Sequence, residues 1–478
     1  MLPFLILTLV GASQLFAQSA GGASTTPSIS LPGNQNPFLG SEPEAKATSE
    51  VLQIDFKDAI DRGLRHNLGL LLAGDQTQTA RGERWKELSE LLPNISGRVQ
   101  ENVQTQSLAA LGFNKLLPVL SPPGTSVPAV VPAFNYFDAR ASLGQSLFNF
   151  RNIERERSAS ESLKAAQFNY KDAREIVVLS VGNSYLQAIA AAARVETTEA
   201  QVRNAQALYA KASDQQKAGL SPAIDALRSQ VELQTRQQQF IAARNDLAKL
   251  KLTVARIIGL APGQEFVLTE KAPYQALAPL PLETYLQRAY ASRADYQAAA
   301  ARVRAAELSR RGAAAGRYPS FEVNANLGDI GVTPAHSNGT WQVNGGINIP
   351  IFAGNRVHAD VLEADALLKQ VRSQLGDLSG RIDYEVRAAL LDLNAAAEQV
   401  EVARSSVDLA EQTLAQSQDR FTAGVADNLE VVQAQEALAA AHESYIQSLY
   451  AHNLAKVELA YAIGDAEDGV NRYLKGTQ

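Results

Sequence analysis

The residue types that most often carry chemistry are thinly spread in this chain. Its five histidines, at positions 66, 336, 358, 442 and 452, show no metal-ligand spacing, and His442 and His452, ten apart, fall on different faces of a helix. There is no cysteine, which removes disulfides, thiolate metal sites, a cysteine nucleophile and lipidation at an N-terminal cysteine. No nucleophile elbow, phosphate-cradling loop or dinucleotide fingerprint occurs. The run Arg302, Arg304, Arg310, Arg311 and Arg317 has the composition of an anion site, but it precedes a strand, where basic residues at a membrane boundary account for it. These absences predict no catalytic residue, no enzyme activity, no metal and no cofactor. A net charge of −6 gives no field that would recruit nucleic acid, so that partner is excluded as well.

What the chain has instead of chemistry is repetition. The phrase "KAGLSPAIDALRSQVE", Lys217 to Glu232, returns as "FTAGVADNLEVVQAQE", Phe421 to Glu436. "LFNFRN" from Leu147 faces "IFAGNR" from Ile351 at an offset of 204, and Gly219 faces Gly424, as Gly259 faces Gly464, at 205. Upstream, "ELLPNISGRVQ" around Pro93 faces "GRYPSFEVNAN" around Pro319. Matches in one order over about two hundred residues indicate internal duplication. The organisation read from this is a first repeat over 51–278 and a second over 279–465, followed by a C-terminal tail, 466–478. Ahead of them, residues 1–20 read as a signal peptide, apolar from Leu2 to Val10 with cleavage after Ala17 or Ala20. Residues 21–50, rich in Gly, Ser, Pro and Asn, read as a flexible linker.

Each repeat reads helix, strand, strand, long helix, glycine turn, long helix, with the hairpins at 151–258 and 356–463. In the second hairpin, apolar residues step by threes and fours through Val361, Ala364, Leu368, Val371, Leu375, Leu378 and Ile382, then resume after one extra four-residue step at Val386, Leu390 and Leu393. No proline interrupts Arg151 to Leu220 or Arg356 to the end, and 67 residues of helix span about 100 Å. Aromatics are only 6% of the chain and alanine is abundant, as suits helices in close approach. Leu362, Leu367, Ile176 and Leu179 lie off the main seam, which asks for a neighbour on each side, as in a closed ring of helices rather than an isolated exposed coiled coil.

Four segments instead carry period-two patterning, at about 93–105, 135–148, 317–331 and 338–352. "FEVNANLG" and "WQVNGGINIPIF" alternate apolar with polar or small residues, and each segment has the length of a tilted strand that spans a bilayer. Beyond Ala20 there is no uninterrupted apolar stretch of transmembrane-helix length, so entry into a membrane requires a closed β-barrel. Four strands cannot close one, so several chains must contribute: two would give eight strands and three would give twelve. The proline-rich segment between the first two strands, within 106–133, reads as an external loop.

The duplicated unit, the paired Ala-Gly turns and the strand-to-helix "IPIFAGNR" closely resemble the TolC-like outer-membrane efflux protein family over residues 51 to 465. The resemblance implies a mainly α chain with a membrane β-barrel: a homotrimer whose twelve-stranded barrel in outer-membrane lipid continues into a periplasmic α-barrel of twelve helices. It also implies a passive export duct, served by a periplasmic membrane-fusion adaptor protein and an inner-membrane transporter of RND, ABC or MFS type, or by a type I secretion system. Adaptor tips would dock at Ala218, Gly219 and Leu220 and at Ala423, Gly424 and Val425. An acidic entrance gate would fall on Asp225 and Glu430, with Gln433 where the family often carries a further acid, and Ala426 where it often carries an arginine. The rival reading is a periplasmic coiled-coil adaptor or structural protein without a membrane span, against which stand two hairpins and two strand pairs in place of one hairpin between lipoyl-like domains.

Overall fold

The computed structural model describes residues 36–44, 46–112, 129–270, 274–277, 280–426 and 428–475; the expected signal peptide, 1–20, and the centre of the proline-rich loop fall outside them. Pro37–Gln478 forms one contact unit. Long helices dominate it. We number the helices α1 (Phe56–His66), α2 (Leu68–Ser89), α3 (Phe150–Lys217), α4 (Ala223–Ile258), α5 (Leu282–Ser292), α6 (Ala294–Ala314), α7 (Arg356–Thr422), α8 (Asn428–Ala462) and α9 (Ala466–Leu474). The strands are β1 (Leu52–Ile54), β2 (Asn94–Ser107), β3 (Val130–Phe148), β4 (Phe266–Leu268), β5 (Ser320–Gly331) and β6 (Ser337–Asn348).

At 68 and 67 residues, α3 and α7 each run about 100 Å. Asn149 starts α3, its side-chain oxygen accepting from the N–H groups of Arg151 at 3.1 Å and Asn152 at 3.3 Å. The matching turn before α7 is built differently, with Asn355 in the left-handed region at φ 62°. Packing joins the four long helices in the order α4, α3, α8, α7. The outer members of that row, α4 and α7, keep exposed apolar stripes: Ile224, Leu227, Val231 and Ile241 on α4, and Tyr384, Leu391, Val402 and Leu409 on α7.

The sheet repeats that arrangement. Its order is β2-β3-β5-β6, antiparallel throughout, so the two hairpins lie side by side and β2 and β6 are the edges. Register places Ile95, Val99, Val103, Leu143, Ala141, Leu327, Trp341 and Val343 on one face. Arg98, Gln100, Asp138, Arg140, Asn326 and Gln342 share the other. The apolar face is the open one, with Val99 at 74% and Trp341 at 76% exposure, whereas the polar side chains of Asp138 and Arg140 keep only 13% and 30%. A sheet whose apolar face is the open one is inverted relative to a soluble sheet.

Between sheet and hairpin tips lies the main core. Val177, Val181 and Tyr185 of α3 meet Phe56, Val254, Ile257, Ile382, Val386, Val457 and Leu459 there. Tyr185 is buried with its hydroxyl donating to the Ile54 carbonyl at 3.0 Å, which anchors the short parallel pair β1–β4, an element the period-two reading missed because each strand is three residues long. An 18-residue window of α3 has the hydropathy of a membrane span, 1.5 on average, but half of it is buried among these residues.

Two expectations are corrected here. Residues 36–44 and 46–50 are not a free linker. Their backbone is strapped onto the core: Glu42 N–H donates to His66 O at 2.8 Å, Glu44 N–H to Gly259 O at 3.0 Å and Thr48 N–H to Gln264 Oε1 at 2.7 Å. Pro and Gly content signals an irregular path, and these cross-chain bonds satisfy the backbone without regular structure. The C-terminal segment is likewise no tail through Leu474: α9 buries Val470, Tyr473 and Leu474 in the main core, and its short amphipathic period was too brief to stand out.

Candidate functional site

The two glycine-centred turns are the same object twice. In the first, Gly219 N–H donates to Gln216 O at 3.0 Å and Leu220 N–H to Gln215 O at 2.8 Å; in the second, Gly424 N–H donates to Phe421 O at 3.1 Å and Val425 N–H to Arg420 O at 3.0 Å. These paired bonds close a helix C-terminus around a left-handed residue. Gly219 and Gly424 hold φ 73° and 71°, and no atom lies within 4 Å of the place a Cβ would take. The glycines are therefore required by the backbone and not by crowding. The apolar residue that follows such a turn often folds back onto the helix it ends. Here Leu220 and Val425 stay outside, 79% and 67% exposed, beside the exposed Ala218 and Ala423. Each tip thus presents a small apolar surface.

Just inside the turns the repeats diverge. Asp225 is buried in the first turn of α4, 3.8 Å from the Arg228 guanidinium. Glu430, at the equivalent position of α8, is half-buried and pairs with Arg420 of its own hairpin at 3.1 Å, while the Ser417 hydroxyl approaches the same oxygen at 3.5 Å. Gln433 is exposed. The structure therefore brings Asp225 and Glu430 to the same end of the molecule in unlike settings, and leaves Gln433 outside both.

The residue that joins the two tips is one the sequence reading passed over. Asn428, fully buried, donates from Nδ2 to the Asp225 carbonyl at 3.1 Å and to the buried Ser229 hydroxyl at 2.7 Å. Its own Oδ1 is buried without a partner. Lys211 of α3 makes a second tie, donating to Thr422 Oγ1 of α7 at 2.8 Å and lying over the Phe421 ring. A signal was present: at the repeat offset of 205, Asn428 faces Ala223, Arg420 faces Gln215 and Ser417 faces Ala212. Polar residues that break the repeat mark where the second hairpin does something the first does not. Under the tip lies a small separate core of Leu208, Leu414, Val431 and Ala434.

The other candidate groups are absorbed by structure. Arg304 pairs with Glu161 at 2.8 Å, Arg310 with Asp365, and Arg302 donates to Asn169 Oδ1 at 2.8 Å, so the arginine run spreads over several partners and gathers no anion site. His452 is buried against the Tyr274 ring, and burial pushes its imidazole down to about 4. Among the described residues no cluster of His, Cys, Asp and Glu could hold a metal ion.

Comparison with known proteins agrees with this geometry. The sequence profile of a family described as outer membrane efflux protein matches residues 89–260 and 285–465. The pyoverdine export outer membrane protein OpmQ of Pseudomonas aeruginosa is 25% identical over 64% of this chain and 65% of its own. The toluene efflux pump outer membrane protein TtgC of Pseudomonas putida is 23% identical over 68% of each. The chain thus spans about two thirds of the length of the curated relatives it matches. Among solved structures, the VceC outer membrane protein of Vibrio cholerae superposes with a TM-score of 0.71 at 19% identity, covering 86% of this chain and 96% of that one. The CmeC outer membrane channel of Campylobacter jejuni gives 0.72 at 16%, covering 95% and 98%.

Proposed function

The chain belongs to the outer membrane efflux protein family, a family of outer-membrane channels of tripartite pumps, and from that premise we propose that it is the exit duct of such an assembly. Three copies close a twelve-stranded barrel in outer-membrane lipid over a twelve-helix periplasmic tunnel. The duct is passive. Substrate enters at the hairpin tips, handed on by a periplasmic membrane-fusion adaptor and an inner-membrane transporter, and leaves through the barrel.

One observation carries the reading: both layers of the subunit are rows of four with two unsatisfied ends. The sheet ends at β2 and β6 and the helices end at α4 and α7, whose apolar stripes lack a neighbour within the chain. Ends that differ from each other call for head-to-tail contacts, and such contacts close into a ring when the rotation allows. An open sheet with an apolar outer face has no stable place in water, and closure removes both the exposed edges and the exposed band. The inverted polarity of the sheet then gives a polar lumen.

At the entrance, the adaptor docks on Ala218, Gly219 and Leu220 and on Ala423, Gly424 and Val425, whose exposed apolar surface supports that role. Asp225 and Glu430 supply the acidic rim, and Gln433 leaves it less charged than a fully acidic ring. With Ala426 in place of an arginine, the tips are held within each subunit by Asn428 and Lys211. OpmQ and TtgC are named for different cargoes, pyoverdine and toluene, as expected of ducts that accept what their pump delivers.

The experiment is fractionation of the full chain followed by reconstitution. A heat-resistant trimer in outer-membrane vesicles that conducts ions in planar bilayers is the expected result. A soluble periplasmic monomer would overturn the reading and favour the adaptor alternative.

A further inference from the structure

The polar face of the sheet holds two arginines that passive conduction does not require. Arg98 of β2 and Arg140 of β3 are direct register partners on the polar face. Like charges directly opposite each other destabilise a strand pair, so the rung costs the sheet stability. Arg140 is held in place: its Nε donates to Asp138 Oδ1 at 3.0 Å and its Nη1 to Asn326 Oδ1 at 3.4 Å. On the neighbouring strand β5, the register partner of Arg140 is Gly328, which has no side chain beside the guanidinium as it reaches Asn326 two residues away. Asp138 also accepts from Gln100 Nε2 at 3.5 Å. Its carboxylate is therefore engaged by Arg140 and Gln100. Arg98 is exposed and has no carboxylate partner among the described residues.

One adjacent rung of this face holds Gln100, Asp138, Ile330 and Asn338, with Asp138 as its one charged group. The rung next to Arg98 and Arg140 on the other side holds Ser96, Ser142, Asn326 and Gln342. Glu101 and Asp329 belong to the opposite face, by the same alternation. The remaining acid of the polar face, Glu322, lies six residues along β5 from Gly328, about 20 Å at the rise of an extended strand. That is roughly two Debye lengths in 0.1 M salt, so it does not cancel the arginines. One subunit thus contributes two guanidiniums and one carboxylate at a single height.

We propose that Arg98 and Arg140 form an anion-selective belt inside the barrel, which draws carboxylate- or phosphate-bearing solutes through the outer half of the duct in preference to cations. The inference rests on the trimeric-barrel reading: three copies place six guanidiniums and three carboxylates around one level of the lumen. Rings of basic side chains at close quarters select anions by lowering the electrostatic cost of entry. Arg140, fixed by Asp138 and Asn326, forms the wall. Arg98 supplies the free donors that face the solute. The belt is opposite in sign to the acidic tips, so the two ends of one duct discriminate in opposite senses.

The test is the reversal potential of the purified full-length protein in planar bilayers under a KCl gradient centred near 0.1 M. Arg98→Gln should lower the chloride-to-potassium permeability ratio at least roughly twofold, and the difference should fade near 1 M salt, where the Debye length is about 3 Å. Arg98→Lys, which keeps the charge, should retain the wild-type ratio. Citrate added to the barrel side should slow the wild-type current and lose that effect in Arg98→Gln. A ratio unchanged in Arg98→Gln at 0.1 M salt, in a variant that still forms the trimer, overturns the belt and leaves the exit-duct reading intact. A wild-type protein that forms no pore overturns both.

Discussion

The hairpin tips and the main core both tie the first and second hairpins of a subunit together, and they do so in opposite ways. In the core, long helices converge on a large apolar cluster, and the charged groups around it are doubly bonded. Arg293, buried at the α5–α6 break, reaches Asp295 at 2.7 Å, Glu385 at 2.6 Å and the Ala462 carbonyl at 3.1 Å. Arg174 grips Glu467 of α9 with two nitrogens, and Glu175 accepts from the first N–H groups of the same helix at 2.6 and 3.2 Å. At the tips, a cluster of Leu208, Leu414, Val431 and Ala434 and a few bonds from Asn428 and Lys211 to uncharged acceptors take that place. Local stability follows buried apolar contact, so the main core is the firmer of the two regions and the tips are the more readily opened.

The sharpest way to break this comparison is at the main core. Arg293→Met strands the carboxylates of Asp295 and Glu385 and should cost about 3–5 kcal/mol, seen as a large fall in melting temperature and loss of assembled protein. An unchanged melting temperature would mean that the core is not the fixed element. Next comes Glu175, which burial lifts to about 7 despite its two N–H donors. Its folded value lies above the unfolded value of 4.5, so the native state keeps the proton longer. The contribution is full below about pH 4.5 and is lost as pH rises toward 7, on the order of 3 kcal/mol in total. Melting temperature should therefore drop across that window in the wild type, and Glu175→Gln should flatten the profile. An identical slope in both would assign the effect elsewhere, for instance to Asp172, lifted to about 6 by burial and then by Asp295.

At the tips the effects should be smaller and local. Asn428→Ala removes the tie to Ser229 and the Asp225 carbonyl, about 1–3 kcal/mol, and should raise single-channel conductance and protease cleavage near the turns without moving the global melting temperature. A global shift as large as that of Arg293→Met would erase the distinction between the two regions. The smallest effect belongs to the turn glycines. Gly219→Ala and Gly424→Ala each force a side chain into the left-handed region at about 1–2 kcal/mol, and should do so equally, since both turns share the same bonds and open surroundings. Unequal protease sensitivity at the two tips would show that the second tip is constrained by more than its backbone.

The residues themselves determined a good deal. Heptad steps without proline fix long helices, alternation fixes which side chains share a sheet face, and glycine at equivalent repeat positions fixes two like turns, because each depends on local backbone geometry and chain period alone. Arithmetic on strand number also led to the expectation of more than one chain, which stands as part of the proposed function. Tertiary structure decided what depends on distance in space. It turned residues 46–50 from a free linker into a strap across the surface and α9 from a tail into part of the core, since their bonds reach partners some two hundred residues or more away. It set Asp225 and Glu430, equivalent in the repeat, in unlike surroundings, because burial comes from neighbouring helices. It made Asn428 the tie between tips, because a side chain amide acquires that role only when another hairpin presents it with a carbonyl and a hydroxyl. And it aligned Arg98 with Arg140, forty-two positions apart, because register is set by strand pairing and not by spacing along the chain.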